Sequence, residues 1–145
     1  MRTLLVMTIV LGANLYAADD DGKKCTDATI KGTYGYTIVG TRPVPSGMGA
    51  GQTEQHLGAG VRHYDGQGHF TQVDTTKGSI TGVAADVSTN GTYSVKADCS
   101  GVAFVNVPSL PAPVETRFVV VNKGKEVNWI VINGTVMISG RAIRH

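Results

Sequence analysis

The chain has 145 residues, a formal net charge of +2 at pH 7, 19 glycines and 17% charged residues. Its lysines and arginines are scattered along the sequence, whereas a nucleic-acid surface needs them clustered on one face. The length suits one domain with one core.

The sequence opens MRTLLVMTIVLGANLYAADDDGKKC. Arg2 is a short basic start, an apolar stretch over 3–13 follows, and the polar NLYA comes next, which is the order of a secretory signal peptide. Residues 1–17 are expected to be removed after Ala17, leaving 18–145 as a single barrel domain, secreted or periplasmic. The apolar stretch is about half of the ~20 residues a spanning helix needs, so no membrane span is expected. DDDGKK lacks the spacing of a calcium loop and reads as a solvated start. Cys25 and Cys99 are the only cysteines. In an oxidising compartment they permit one intramolecular pairing, Cys25 with Cys99. C-x-x-C spacing is absent, so the bridge reads as a brace and not a redox centre.

Helix-period stretches are missing, and β-branched or aromatic runs alternate with glycine-rich breaks. Strands are expected over 32–41 (GTYGYTIVGT), 58–64 (GAGVRHY) and 69–76 (HFTQVDTT). A proline- and glycine-rich loop fills 42–55, and DGQG forms the turn before His69. Residues 78–88 (GSITGVAADVS) read equally as a loop or a short extra strand. Strands over 91–97 and 101–107 form a hairpin with Cys99 at its tip, and PSLPAP is a second proline-rich loop. The last strands are expected over 114–122, 126–132 and 134–143. These eight strands have short connections, so sequence neighbours should pair antiparallel. An all-β, eight-stranded up-and-down barrel is expected, with a β-sandwich as the alternative.

Several of these segments carry a resemblance. C-x(6)-GTYGY, GAGVRHYDGQGHFT, GTYSVKADCSG and RFVVVNKGKEV resemble small secreted bacterial proteins similar to allene oxide cyclase-like or dirigent-like barrels of the calycin type. The resemblance covers most of the chain after residue 17 and implies the barrel fold. No catalytic residue of those families matches a position here. The G-x-W signature of lipocalins is absent near the first strand.

Candidate chemistry rests on residues that share a strand face. Glu115 with Arg117, Ser139 with Arg141, and Gln72 with Asp74 are each two apart, and period two puts each pair on one face. If that face is the lumen, these groups could hold a small carboxylate or carbonyl compound, and a buried arginine would need Glu115, Asp74 or a ligand as partner. If it is the outer face, they are solvated ion pairs. Tyr34, Tyr36, Phe70, Tyr93, Phe104, Phe118 and Trp129 could line an apolar pocket or pack as plain core. The ligand-binding candidates are Arg117, Glu115, Arg141, Tyr36 and Trp129. His56, His63 and His69 have no metal-ligand spacing, and neither a metal site nor a cofactor is expected. Asn90-Gly-Thr92 and Asn133-Gly-Thr135 match glycosylation sequons but read as turns. The doubly apolar RFVVV suggests a strand covered on both sides, by a loop or by another copy of the chain.

Three functions fit this pattern. The first is an exported, non-enzymatic barrel that binds a small apolar ligand or acts at the envelope through other proteins. The second is an isomerase or cyclase that confines its substrate in the lumen. The third is a β protein that uses RFVVV to bind a partner or to self-associate as a homo-oligomer.

Overall fold

A computed structural model describes residues 24–49 and 51–145. The expected signal segment, 1–17, lies outside the described residues. The eight strands are β1 (Gly32–Pro43), β2 (Thr53–Tyr64), β3 (His69–Gly78), β4 (Gly82–Val95), β5 (Ser100–Asn106), β6 (Val114–Val121), β7 (Glu126–Val131) and β8 (Met137–Arg144). Each pairs antiparallel with its sequence neighbour, and β8 pairs with β1, so the sheet closes into an up-and-down barrel.

The strands β2 and β4 start well before the apolar pattern predicts. β2 begins at Thr53 because Glu54 and His56 turn inward. Polar residues at inward positions erase the apolar alternation on which strand reading depends. The segment over 78–88 is the β3–β4 turn followed by the first half of β4. A register shift between Asp74 and Thr76, with Asp86 at φ 54°, absorbs an extra residue there. At the β2–β3 turn, the Asp65 carboxylate accepts N–H bonds from Gln67 (2.7 Å) and His69 (3.0 Å), while Gly66 and Gly68 take positive φ.

The lumen is packed by aromatic rings laid on glycines. Phe70 faces Gly91, Phe118 faces Gly101 and Trp129 faces Gly140, each pair directly across adjacent strands. A Cβ on any of these glycines would run into the ring opposite it. The missing side chain is therefore the space that the ring occupies, as in aromatic rescue of strand glycines.

One end of the barrel is sealed. The lead from Lys24 crosses it, and the 3-10 turn Asp27–Ile30 sets Ile30, fully buried, into the core. Cys25 is bonded to Cys99, with Cα atoms 5.0 Å apart. Cys99 itself sits in the β4–β5 turn at φ 66°, at the tip of the hairpin. The Asp27 carboxylate accepts the Val95 N–H at 2.7 Å, and Arg144 donates to the Thr29 carbonyl at 2.8 Å. Gly124, at φ 84°, closes the same end: its carbonyl accepts the Tyr34 hydroxyl, and a Cβ there would strike the Thr29 carbonyl. The opposite end carries the loops over 44–49 and 51–52, 79–81, 107–113 and 132–136, and no helix crosses it among the described residues.

Candidate functional site

Most of the strands place an aromatic residue on the inward face. On β6, Thr116, Phe118 and Val120 point inward, so Arg117 points out. Arg117 pairs with Glu115 at 2.9 Å on the outer wall, with its side chain 51% exposed. Arg141 also lies outside, 57% exposed, and donates to both Glu126 carboxylate oxygens at 2.7 and 2.9 Å. The lumen reading of Arg117, Glu115 and Arg141 is thereby corrected: burying Phe118 and Ala142 forces their neighbours to the solvent side. Val119 is exposed as well, so no part of the described chain covers the outer face of β6. Tyr36 and Trp129 do lie in the lumen.

The buried arginine is Arg62, on β2. Its Nε donates to the Gln72 side-chain oxygen at 2.7 Å, and its Nη1 donates to the Tyr64 hydroxyl at 3.1 Å. Gln72 then donates its amide N–H to Asp74 Oδ2 at 3.0 Å, and the Tyr36 hydroxyl donates to the same oxygen. Four rings surround the guanidinium: Phe70 at 4.4 Å, Tyr36 at 5.1 Å, Tyr64 at 5.7 Å and Trp129 at 6.0 Å from Cζ to centroid. Such contacts stabilise a desolvated cation electrostatically. Burial pushes the Tyr36 hydroxyl well above the ordinary phenol range and the bond to Asp74 pushes it further, so Tyr36 remains a proton donor.

Among the described residues, three buried side-chain polar atoms have no hydrogen-bond partner within the protein: His56 Nδ1, Thr89 Oγ1 and Trp129 Nε1. All three residues are buried on the inward face of their strands. Thr89 stands across from Gln72, which holds Arg62, while the Trp129 ring lies 6.0 Å from the guanidinium carbon. His56 is three inward positions nearer the open-loop end than Arg62, on the same strand. Burial lowers the His56 pKa and the Arg42 charge lowers it further, while Glu54 and Asp74 act the other way. The ring is therefore neutral at neutral pH, and its Nδ1 either donates or accepts according to tautomer.

No family model, curated protein or solved structure matches this chain. The residues must speak for themselves. Among the described residues no three histidine, cysteine or acidic side chains gather as a metal site. His63 bonds Thr33 Oγ1 at 3.0 Å on the outer wall, and His69 lies 3.4 Å from Asp65 in the turn. The outer wall of β2, β3 and β4 also carries an open groove of about 420 Å³, lined by Val61, His63 and Val73 among others.

Sequence reasoning paired Gln72 with Asp74 on one face and weighed His56 only as a metal ligand, but missed Arg62 and Thr89. The signal for Arg62 was its parity with Tyr64, which places it on the same side as an aromatic residue.

At the rim beside His56, Glu54 anchors the β3–β4 turn. Its carboxylate accepts N–H bonds from Ile80 (3.0 Å) and Thr81 (2.9 Å), the Thr81 hydroxyl, and Arg42 Nε at 2.9 Å. Burial alone would raise its pKa, but the two backbone donors, Arg42 and the Thr81 hydroxyl together lower it to about 2. A carboxyl depressed on folding contributes stability above its unfolded pKa and loses it as pH falls through the folded value. The contribution of Glu54 is therefore full above the usual carboxylate range and fades down to about pH 2. Asp65, Asp98 and Glu126 are also depressed, so the whole protein weakens in acid. The share of Glu54 is isolated by comparing thermal melts of wild type and Glu54→Gln from neutral pH to pH 2. The gap between them should be widest at neutral pH and narrow in acid. A gap independent of pH would show that the charge on Glu54 does not hold the turn.

Proposed function

We propose that this protein is an exported, non-enzymatic barrel that holds a small amphipathic molecule in its lumen. The observation that carries the reading is the set of buried, unpartnered atoms on the inward face: His56 Nδ1, Thr89 Oγ1 and Trp129 Nε1. More than nine in ten buried polar groups find a partner, because an unmade bond costs about 1–3 kcal/mol. Several in one lumen are what a site looks like when its ligand is the missing partner. Export is supported by the Cys25–Cys99 bridge, which persists in oxidising compartments, and by the signal-like order of residues 1–17. The resemblance to allene oxide cyclase-like and dirigent-like barrels supports a fold whose lumen is the working surface.

A second reading, a lumen-confined isomerase, draws on the Tyr36–Asp74 hydrogen bond, a proton-bearing pair enclosed by rings. One experiment tests both. The protein is expressed with its leader, recovered from the exported fraction and analysed by native mass spectrometry. A discrete adduct that is released on denaturation, and is diminished by Thr89→Val, is the expected result. Conversion of the recovered molecule on incubation with fresh protein would favour the isomerase. Bare protein from several expression hosts would remove the lumen reading.

A further inference from the structure

We propose that the lumen ligand is a small apolar monocarboxylate whose carboxylate is the counter-ion of Arg62; this deepens the lumen-binding reading and rests on it. Arg62 is buried, yet its direct hydrogen-bond partners are neutral oxygens, those of Gln72 and Tyr64. No carboxylate of the described residues lies within 4.0 Å of its guanidinium. Asp74 is separated from it by the Gln72 amide, and its Oδ2 already accepts from Gln72 and Tyr36. A buried charge is costly unless an opposite charge meets it directly, and surrounding rings offset only part of that cost.

The unpartnered groups nearby narrow the chemistry. The indole N–H of Trp129 can only donate, and the Thr89 hydroxyl has a proton to give. A guanidinium has five N–H donors, of which Nε–H and one Nη1–H are engaged within the described protein. At the floor of the lumen the unengaged groups are thus donors, and the positive charge of Arg62 has no direct counter-ion, since Asp74 is reached only through Gln72. A carboxylate answers both features, since it only accepts and has about four lone-pair sites. An alcohol supplies an acceptor without the charge, and an ammonium brings the wrong sign. Ile38 and Val131 pack against the core on the side away from the sealed end, which suits an apolar tail running toward the loops.

Trp129 is the only tryptophan, so its fluorescence reports on the floor without any added label. Hexanoate, 1-hexanol and hexylamine are titrated at pH 7 into the disulfide-intact protein. Hexanoate should give a saturable change in Trp129 emission and bind at least about tenfold more tightly than hexanol, the scale of one charge-assisted hydrogen bond. Hexylamine should give none. Arg62→Gln, if its circular dichroism is native, should weaken hexanoate by about tenfold or more. Thr89→Val, a near-isosteric change, should weaken it several-fold should Arg62→Gln fail to fold. Arg117→Gln on the outer wall should leave it unchanged. Equal binding of hexanol and hexanoate would overturn the acid assignment while leaving a lumen site in place. Unchanged hexanoate affinity in folded Arg62→Gln would overturn it too. Silence from all three probes, together with bare protein by native mass spectrometry, would sink the site itself.

Discussion

Cys99→Ser should lower the free energy of unfolding by about 2–4 kcal/mol. The bridge joins residues separated by 74 positions, so cutting it releases a long loop in the unfolded chain. On the chain-entropy model a loop of that size is worth roughly 4 kcal/mol, and native adjustments reduce it. In the folded state the bridge holds the lead that seals one end, where Asp27 meets Val95 and Arg144 meets Thr29. Urea unfolding of the oxidised wild type, the reduced wild type and Cys99→Ser gives the measurement. The last two should coincide, both below the first. A loss under about 0.5 kcal/mol, the scatter of ordinary surface changes, would mean that those hydrogen bonds alone secure the lead.

Tyr64→Ala should cost about 3–5 kcal/mol, the range for truncating a large buried aromatic residue. Tyr64 is 2% exposed and stands at the centre of the ring cluster. It meets Tyr34 edge-on at 5.3 Å and Tyr93 edge-on at 5.0 Å, with Phe70 tilted against it at 5.7 Å. Its hydroxyl also accepts from Arg62, so the truncation both opens a cavity and strips a buried cation of an acceptor. Tyr64→Phe separates the two effects: it keeps the ring and should cost about 1.5–3 kcal/mol, the worth of a hydrogen bond to a charged group. Equal losses in the two variants would mean that the hydroxyl, and not the ring, is what the core needs from this position.

Strand number, strand order and the disulfide were legible in the residues. Short turns leave antiparallel neighbours as the simplest pairing, and two cysteines leave one bridge. The extra length of β2 was not legible, because Glu54 and His56 occupy inward positions that a strand pattern expects to be apolar.

The face assignments divide in the same way. Period two put Glu115 with Arg117, and Gln72 with Asp74, from sequence alone. It could not say which pair faced the lumen, since alternation relates residues to one another and not to a core that has not yet closed. Closure settled it. Phe118 on Gly101 and Trp129 on Gly140 needed the inside, which sent Arg117 and Arg141 to water. Arg62 went the other way, with Tyr64, into a space bounded by rings from β1, β2, β3 and β7. The residue types and their parity are properties of the chain. The environment of Arg62 joins three consecutive strands, β1 to β3, to Trp129 of the distant β7, so it is complete only once the barrel has closed.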